Sequence, residues 1–390
     1  MSRFEFLNGN EALAWGVKLA KPGVIAAYPI TPQTIAVEKI AEFVQDGLLD
    51  SIYLHVESEH SAMACSIGAS ATGVRTFTAT SSQGLLYMAE CLPYASGARL
   101  PIVMMNANRA MATPWNIYGD QMDVMYVLNS GWIQLFAENA QEALDMVIQS
   151  FKLAEDSEVM APVMINLDGF VLTHTYEKVN IPEQELVDSF LPPMQLQSHM
   201  MNAQHPTSVC ISAGNAHNME FKLKQHLDLL NAIAVFSRIS KEFGNFFGRY
   251  HGGAVEGYYY SDADVLLVTV GSIAGTVKEV VDAMRKEGHS VGLLKLRMVR
   301  PFPVKQLAEA CKNAIAVGVL DKNISFGYEG TIYTNVNSAL LQSGVFVKTQ
   351  NFIGGLGGRD IPKKEIRSMF KVLLDNLEEK KVRFHNLRCT

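Results

Sequence analysis

Short apolar runs alternate with amphipathic helical patterns along most of this chain. The run Val24-Ile25-Ala26-Ala27 predicts a buried strand, and the pattern over 34–47 predicts a helix that Gly47 ends. The same order is repeated up to about residue 175 and again from 263 onward. Such alternation predicts an α/β fold with mostly parallel sheets and helices on both faces.

The alternation is interrupted between about residues 180 and 255. A polar, turn-rich stretch occurs there, followed by one helical pattern over 221–244. Because such a stretch is typical of a boundary between cores, the sequence predicts four parts: a first α/β domain over 1–180, a linker with a helix over 181–254, a second α/β domain over 255–375 and a C-terminal tail over 376–390.

Composition excludes several classes of protein. The 390 residues carry a net charge of −6 and show no basic stripe, so nucleic acid is not an expected partner. Apolar windows are too short to span a membrane, and the start lacks the apolar core of a signal peptide. The five cysteines form no CxxC pair and suit neither zinc nor an iron–sulfur cluster. We therefore expect a cytoplasmic protein with reduced thiols, whose metals, if it performs redox chemistry, lie on another chain.

The segment AAYPITPQT follows the first predicted strand. Pro29 and Pro32 stand on either side of Thr31, and each proline fixes its own φ, so the turn is preorganised. Rigid loops at strand ends often carry binding groups in α/β proteins. The alternative is that Thr31 only caps the following helix.

The segment VESEHSAM places Glu57 and Glu59 where a strand becomes a helix. A carboxylate at a helix start is favoured by the helix dipole, so capping is one interpretation. The other is a carboxylate directed at a cofactor at the carboxyl end of the strand.

A long loop over 106–123 follows the strand LPIVMM and begins near Arg109, whose planar guanidinium suits a small carboxylate. The alternative is a surface arginine.

The segment TATSSQG could bind an anion through backbone N–H groups or simply cap a helix. GSIAGT and GGLGGRD are weak dinucleotide signals. Asp120, Asp123 and Asp168 lack metal-site spacing, and no metal ligands are predicted on this chain.

Taken in order, these segments resemble one family, the alpha subunits of 2-oxoacid:ferredoxin oxidoreductases, close to the pyruvate:ferredoxin oxidoreductase branch. The resemblance covers roughly residues 8–175 and 255–370. It is carried by GNEALAWG, AAYPITPQT, VESEHSAM, TATSSQG, NRA, GDQMD, SGWIQ, LDGFVLTH, KLRMVRPFP, DKNISFGYEG and GLGGRD. It implies a pyrimidine-binding domain of the thiamine diphosphate fold, followed by a domain like the C-terminal domain of transketolase.

The resemblance also implies an activity and its partners. The expected reaction is the coenzyme A-dependent oxidative decarboxylation of a 2-oxo acid to acyl-CoA and CO₂. Thiamine diphosphate would be shared with a beta subunit that carries the diphosphate-binding domain, since no G-D-G…N motif occurs here. Mg²⁺ and [4Fe-4S] clusters are expected on partner chains, namely gamma/delta-type and ferredoxin-like subunits, with ferredoxin or an NAD-linked acceptor receiving the electrons. The alternatives are a non-oxidative thiamine-dependent decarboxylase or transferase subunit and a catalytically silent assembly subunit.

By resemblance, Glu59 would bind N1′ of the aminopyrimidine, Thr31 would lie beside the reacting carbon and Arg109 would bind the substrate carboxylate. The implied cofactor-binding residues are Glu59, Pro29, Ile30, Ser82 and Gln83. The implied substrate pocket contains Tyr28, Thr31, Arg109, Trp115, Tyr118 and Asp120.

The loop reads NIYGDQMD, whereas pyruvate-type members often read NIHGDHSD, so the substrate could be pyruvate or an aromatic or branched acid such as phenylglyoxylate. Aromatic rings would stack on Trp115 or Tyr118, unless these two side chains face a subunit interface.

Overall fold

The computed structural model describes residues 3–195, 197–375 and 382–388. Its first part contains, in chain order, β1 (Arg3–Leu7), α1 (Gly9–Ala20), β2 (Val24–Ala27), α2 (Thr34–Gln45), β3 (Ile52–His55), α3 (Glu59–Ala71), β4 (Thr76–Thr80), α4 (Ser82–Tyr87), α5 (Leu92–Gly97), β5 (Val103–Asn108), α6 (Met122–Tyr126), β6 (Ile133–Phe136), α7 (Ala140–Ala154), β7 (Val163–Asp168), α8 (Val171–His174) and β8 (Glu177–Ile181).

The remainder contains α9 (Gln184–Phe190), α10 (Asn218–Phe247), β9 (Val255–Tyr258), β10 (Val265–Val270), α11 (Ile273–Lys286), β11 (Val291–Leu296), β12 (Met298–Arg300), α12 (Val304–Cys311), β13 (Ala316–Asp321), α13 (Thr331–Gln342), β14 (Lys348–Ile353), a 3₁₀ turn (Leu356–Gly358), α14 (Lys363–Leu374) and β15 (Arg383–Phe384).

The first sheet has the strand order β12-β6-β7-β5-β4-β2-β3. Its strands are parallel except for β12, which pairs antiparallel with β6. Strands β4, β5 and β7 are buried at every position, as expected for a parallel sheet covered on both faces. The carboxyl ends of β2, β3, β4 and β5 therefore meet at one edge of this sheet.

The second sheet has the order β15-β14-β13-β10-β11-β9 and is parallel except for β9. Its apolar core includes Val277 of α11 and Met369 of α14, which pack against the strands. The predicted mostly parallel α/β architecture is confirmed for both sheets. A separate antiparallel pair, β1 with β8, was not predicted from the sequence.

The helix predicted at 221–244 begins earlier, at Asn218, and ends later, at Phe247. Its second half packs into the first core through Val235, Phe236 and Ile239. The second half of the chain also contributes β12 to the first sheet. The helix α10, which precedes residue 255, and the strand β12, which follows it, therefore both pack against the first domain.

Over the residues that the structure describes, no helix is both long enough and apolar enough to cross a membrane.

Candidate functional site

The site lies at the edge of the first sheet where β2, β3, β4 and β5 end. Because neighbouring parallel strands end together, the segments over 28–33, 56–59, 81–84 and 109–121 converge there. These segments include the residues that the sequence singled out.

The turn after β2 is fixed by amide side chains. Gln33 donates through Nε2 to the carbonyls of Tyr28 at 3.1 Å and Ala79 at 3.0 Å, and Asn10 donates to the Pro32 carbonyl at 2.9 Å. Thr31 is exposed, and its hydroxyl has no hydrogen bond to the described residues. The N-cap of α2 is Gln33, so the alternative that Thr31 caps this helix is wrong.

The remaining turn residues predicted to bind ligands lie beside Thr31. Tyr28 and Pro29 are exposed, and Ile30 is half-buried. The Ile30 carbonyl accepts a hydrogen bond from the Gln33 N–H at 2.9 Å. The turn thus presents the Thr31 hydroxyl on a constrained backbone.

Glu59 is the first residue of α3 and is 6% exposed. Ser58 provides the cap, because its Oγ accepts from the Ser61 N–H at 3.2 Å, and Glu57 is exposed and hydrogen-bonded to the Ser61 hydroxyl. The Glu59 carboxylate makes no hydrogen bond within the described residues. The side chain is almost fully buried and its acceptor oxygens have no donor from the described residues, so this group is suited to a donor that arrives with a ligand.

The backbone at Gly84 passes directly over Glu59. A Cβ at this position would lie 2.5 Å from Glu59 Oε1 and 2.7 Å from Thr80 Oγ1. The Thr80 hydroxyl is also buried, with no hydrogen-bond partner among the residues whose positions are described. Glycine at 84 therefore keeps open the space around the carboxylate.

Arg109 is 4% exposed and connects two of the converging segments. Its Nη1 donates to the Thr31 carbonyl at 2.7 Å and its Nη2 to Gln83 Oε1 at 2.8 Å, while its buried Nε has no partner in the described part of the chain. Burial lowers the pKa of Arg109, an effect that the charges of Asp123 and Glu59 oppose. The guanidinium therefore lies beside the turn of Thr31 and within the electrostatic influence of Glu59.

The buried carboxylate of Asp123 connects several segments at the base of the site. No pattern in the sequence indicated this role. Its carboxylate accepts hydrogen bonds from the backbone N–H groups of Ser82 at 3.1 Å and Arg109 at 3.2 Å, and from the amides of Asn106 at 3.2 Å and Asn108 at 3.0 Å. Burial raises its pKa to about 6 although these donors lower it. The TATSSQG turn thus receives a carboxylate of the same chain rather than an external anion at Ser82.

The loop after β5 holds the other predicted pocket residues. Trp115 is 69% exposed, with its ring centre 5.7 Å from the Arg109 guanidinium carbon. Tyr118 is half exposed and packs on Phe170, with ring centres 4.8 Å apart. Asp120 is buried, and its carboxylate accepts from the N–H groups of Met122 and Gly357, both at 2.9 Å. Asp120 thus joins the loop to the second domain.

A further contact between the domains lies at the end of β7. Asp168 pairs with Lys322 at 3.1 Å and accepts from the Ser272 N–H at 2.8 Å. Burial alone would raise the pKa of Asp168, but Lys322 and Ser272 hold it below its usual range. Among the residues with described positions, no three His, Cys, Asp or Glu side chains are grouped so as to bind a metal ion.

Most of the chain is similar to known protein families. Residues 15–240 match the family model described as the thiamine diphosphate-binding region of pyruvate flavodoxin/ferredoxin oxidoreductase. Residues 263–366 match core domain II of pyruvate:ferredoxin oxidoreductase.

Two curated relatives are similar over nearly their full length. The chain is 45% identical to the ketoisovalerate oxidoreductase subunit VorA of Pyrococcus horikoshii, covering 98% of both chains. It is 46% identical to the pyruvate synthase subunit PorA of Methanothermobacter thermautotrophicus, covering 94% of both.

A solved 2-oxoglutarate:ferredoxin oxidoreductase from Magnetococcus marinus is similar in fold, with a TM-score of 0.72 and 20% identity. The match covers 94% of this chain and 65% of that longer chain.

Proposed function

The chain belongs to the alpha subunits of the 2-oxoacid:ferredoxin oxidoreductases, and from this premise we propose the roles of its residues and the class of its substrate. Glu59 binds the aminopyrimidine of thiamine diphosphate, and Arg109 with Thr31 binds a small aliphatic 2-oxo acid. The acid is pyruvate or a branched homologue such as 2-oxoisovalerate, because relatives of both kinds are about equally similar to this chain.

The observation that carries the proposal is the buried Glu59 carboxylate with no hydrogen-bond donor among the described residues. The aminopyrimidine fits this position because a protonated ring nitrogen donates the hydrogen bond that the carboxylate lacks. Glu59 would hold that proton at N1′, next to the close backbone approach at Gly84. When bound, thiamine diphosphate supplies a nucleophilic carbon and an electron sink for the decarboxylation.

Arg109 and Thr31 provide the charge and the hydroxyl group that would bind a 2-oxo acid. The guanidinium is charged, buried and held by two neutral acceptors, the Thr31 carbonyl and Gln83. A fixed cation of this kind attracts and orients a carboxylate. The Thr31 hydroxyl lies on the same turn and is available to donate to a developing oxyanion.

The remaining parts of the reaction are assigned to partners. The sequence contains neither a G-D-G…N motif nor cluster-type cysteine spacing. We therefore assign Mg²⁺ and the diphosphate to a beta subunit, and the [4Fe-4S] clusters to gamma/delta-type or ferredoxin-like subunits. Coenzyme A receives the acyl group, and ferredoxin or an NAD-linked carrier receives the electrons.

The role of Glu59 is tested in the purified complex with Glu59→Gln, with Glu57→Gln as the matched control. The amide keeps the size of the side chain but cannot hold the proton at N1′ in the same way. We expect turnover to fall by about 10²–10⁴-fold in Glu59→Gln and to stay unchanged in Glu57→Gln, whose carboxylate is exposed. Full activity of Glu59→Gln would refute the assignment.

The substrate class is tested by following reduction of a low-potential dye with coenzyme A and one 2-oxo acid at a time. Pyruvate or 2-oxoisovalerate is expected to give the highest kcat/KM. If phenylglyoxylate or 2-oxoglutarate is instead the best substrate, the aliphatic assignment is wrong.

A further inference from the structure

The 110–121 loop directly follows Arg109 and closes on itself. The Ala110 N–H donates to the Tyr118 carbonyl at 3.0 Å, which brings the two ends of the loop together. At its tip, the Trp115 ring lies 5.7 Å from the Arg109 guanidinium carbon. The position of this loop therefore determines how much room remains beside the guanidinium.

The second domain holds the loop through its backbone. The Gly357 N–H donates to the Asp120 carboxylate at 2.9 Å, and the Gly357 carbonyl accepts from the Asn116 amide at 2.9 Å. The Lys322 carbonyl accepts from the Gln121 N–H at 2.9 Å. Three positions along the loop are thus fixed by one neighbouring domain.

Two glycines of the second domain allow its backbone to lie against the loop. A Cβ on Gly358 would lie 2.4 Å from the Cβ of Tyr118, and one on Gly357 would lie 2.6 Å from the Asn116 amide. Both glycines have positive φ, +60° at Gly357 and +75° at Gly358. A side chain at Gly358 would have to displace Tyr118 and the loop with it.

These contacts explain a sequence motif that the proposed function does not use. GGLGGRD is a weak dinucleotide signal, but its Gly357 and Gly358 face the loop of the first domain instead. The other weak signal, GSIAGT, begins at Gly271, where a Cβ would lie 2.7 Å from Asp168 Oδ2. Both glycine-rich turns therefore serve close approach between the domains.

We propose that the second domain takes part in substrate selection, with Gly357 and Gly358 as positioning residues that hold the 110–121 loop over Arg109. The inference rests on the proposed function, because it gives the loop its role through the 2-oxo acid bound at Arg109. Glu59 lies on α3, outside the loop. The loop contacts the implied cofactor-binding residue Ser82 through the Ala110 carbonyl, at 2.8 Å, and not through Asn116 or Asp120, which bind Gly357. We therefore expect the contact with the second domain to affect substrate binding more than cofactor binding.

The first test is Gly358→Ala in the complete complex. We expect KM for the preferred 2-oxo acid to rise about 10- to 100-fold, because the loop and Trp115 are displaced. The Kd for thiamine diphosphate should stay within about twofold of wild type. Amide hydrogen exchange over 110–121, measured without substrate, should be faster.

Gly344→Ala is the matched control. Gly344 also has positive φ, at +68°, but no atom of the described residues lies within 4 Å of a Cβ at that position. The variant therefore carries similar backbone strain without touching the loop. Its KM, cofactor affinity and loop exchange should match wild type.

Asn116→Ala provides a second variant that adds no strain to the second domain. It removes the hydrogen bond to the Gly357 carbonyl and also the one that Asn116 Oδ1 accepts from the Tyr118 N–H at 2.7 Å, so loop exchange is read at amides other than that of Tyr118. We expect a several-fold rise in KM with faster exchange at those amides. If both variants keep the wild-type KM and loop exchange, the second domain serves stability alone and the inference is wrong.

The inference is also wrong if the Kd for cofactor weakens in parallel with KM, since that would indicate general disruption. Failure of the wild-type complex to turn over any 2-oxo acid would count against the proposed function instead, and the exchange data would still test the contact.

Discussion

Two clusters of buried charge differ in how completely they are paired. In the first, Glu142 at the start of α7 lies between two cations of the second half of the chain: Lys295, at 3.1 Å, and Arg297, whose Nε donates to Glu142 Oε1. Lys295 also pairs with Glu138 at 2.6 Å and with Glu256 at 2.5 Å. Burial alone would raise the pKa of Glu142, but these cations hold it far below its usual range.

The second cluster is the candidate site. There the Glu59 carboxylate has no donor among the described residues, and the buried Nε of Arg109 and the Thr80 hydroxyl have no partner. Hydrogen bonding in the first cluster is incomplete too, since Arg297 Nη2 has no partner within the described ranges. The difference lies in the carboxylates, because Glu142 faces cations directly and Glu59 does not.

The contrast separates two uses of buried charge. A buried carboxylate surrounded by cations joins parts of the chain, and its removal leaves the cations uncompensated. A buried carboxylate without a donor contributes no such bond and remains available to a ligand. The following substitutions test whether the two clusters differ in this way.

The largest effect on stability is expected for Glu142→Gln. Neutralising this carboxylate leaves Arg297 buried without a carboxylate partner and removes one of the three carboxylates that pair with Lys295, which should lower the free energy of unfolding by about 3–5 kcal/mol. Urea denaturation of the cofactor-free complex measures the change. Glu59→Gln should lower stability by less than about 1 kcal/mol, because no hydrogen bond is lost. Equal destabilisation by both variants would remove the distinction.

Arg109→Ala should weaken substrate binding and catalysis together. Loss of the cation that would bind the substrate carboxylate should lower kcat/KM by the equivalent of about 2–5 kcal/mol, with a higher KM and a lower kcat. Arg109→Lys should recover only part of this loss, because an ammonium cannot reproduce the planar fork. Steady-state kinetics measure both variants. Wild-type kcat/KM in Arg109→Ala would contradict the proposal that Arg109 binds the substrate carboxylate.

Asp123 should make stability depend on pH in the opposite direction to an ion-paired carboxylate. Its folded pKa of about 6 lies above the value of about 3.9 for an unfolded chain, so the folded state holds the proton more tightly. The stabilisation is present below the unfolded pKa and is lost as the pH rises through the folded pKa.

Relative to Asp123→Asn, wild type should therefore lose about 3 kcal/mol between about pH 4 and pH 7. Denaturation of both proteins across this range measures the difference. A difference that stays constant with pH would show that Asp123 does not titrate there.

The smallest effect is expected at an exposed ion pair. Glu309 and Lys312 pair on the surface of α12, with both side chains about half exposed or more. Glu309→Gln should change the free energy of unfolding by less than about 1 kcal/mol. A larger loss would show that the urea measurement does not separate buried from exposed pairs.

Much of this arrangement follows from local sequence patterns. Apolar runs such as that at Val24 and the amphipathic helices predict parallel sheets, and parallel strands bring their carboxyl ends together. For this reason Thr31, Glu59 and Arg109 could be predicted to lie at one edge, and Gln33 and Arg109 do connect their segments. Their chemical roles remain predictions.

The contacts between distant parts of the chain could not be predicted. Nothing in the sequence links Gly358 to Tyr118 or Lys322 to Asp168, since these residues are far apart in the chain and meet only in the folded structure. The strand β12 likewise joins the first sheet from the second half of the chain. The role of Asp123 could not be predicted from the sequence, because an isolated acid gives no spacing signal and its amide donors Asn106 and Asn108 lie in a segment that was predicted to be a loop but continues β5.

Some predictions fall where no structure is described. Cys389 lies outside the described residues, as do residues 376–381 of the predicted C-terminal tail.

The most direct test of the central claim is the exchange of the thiazolium C2 proton of bound thiamine diphosphate, followed by NMR in the wild-type, Glu59→Gln and Glu57→Gln complexes. If the unpartnered Glu59 carboxylate serves the aminopyrimidine, exchange should be slower by about 10²-fold or more in Glu59→Gln and unchanged in Glu57→Gln. Wild-type exchange in Glu59→Gln with the cofactor bound would show that this carboxylate does not activate the cofactor.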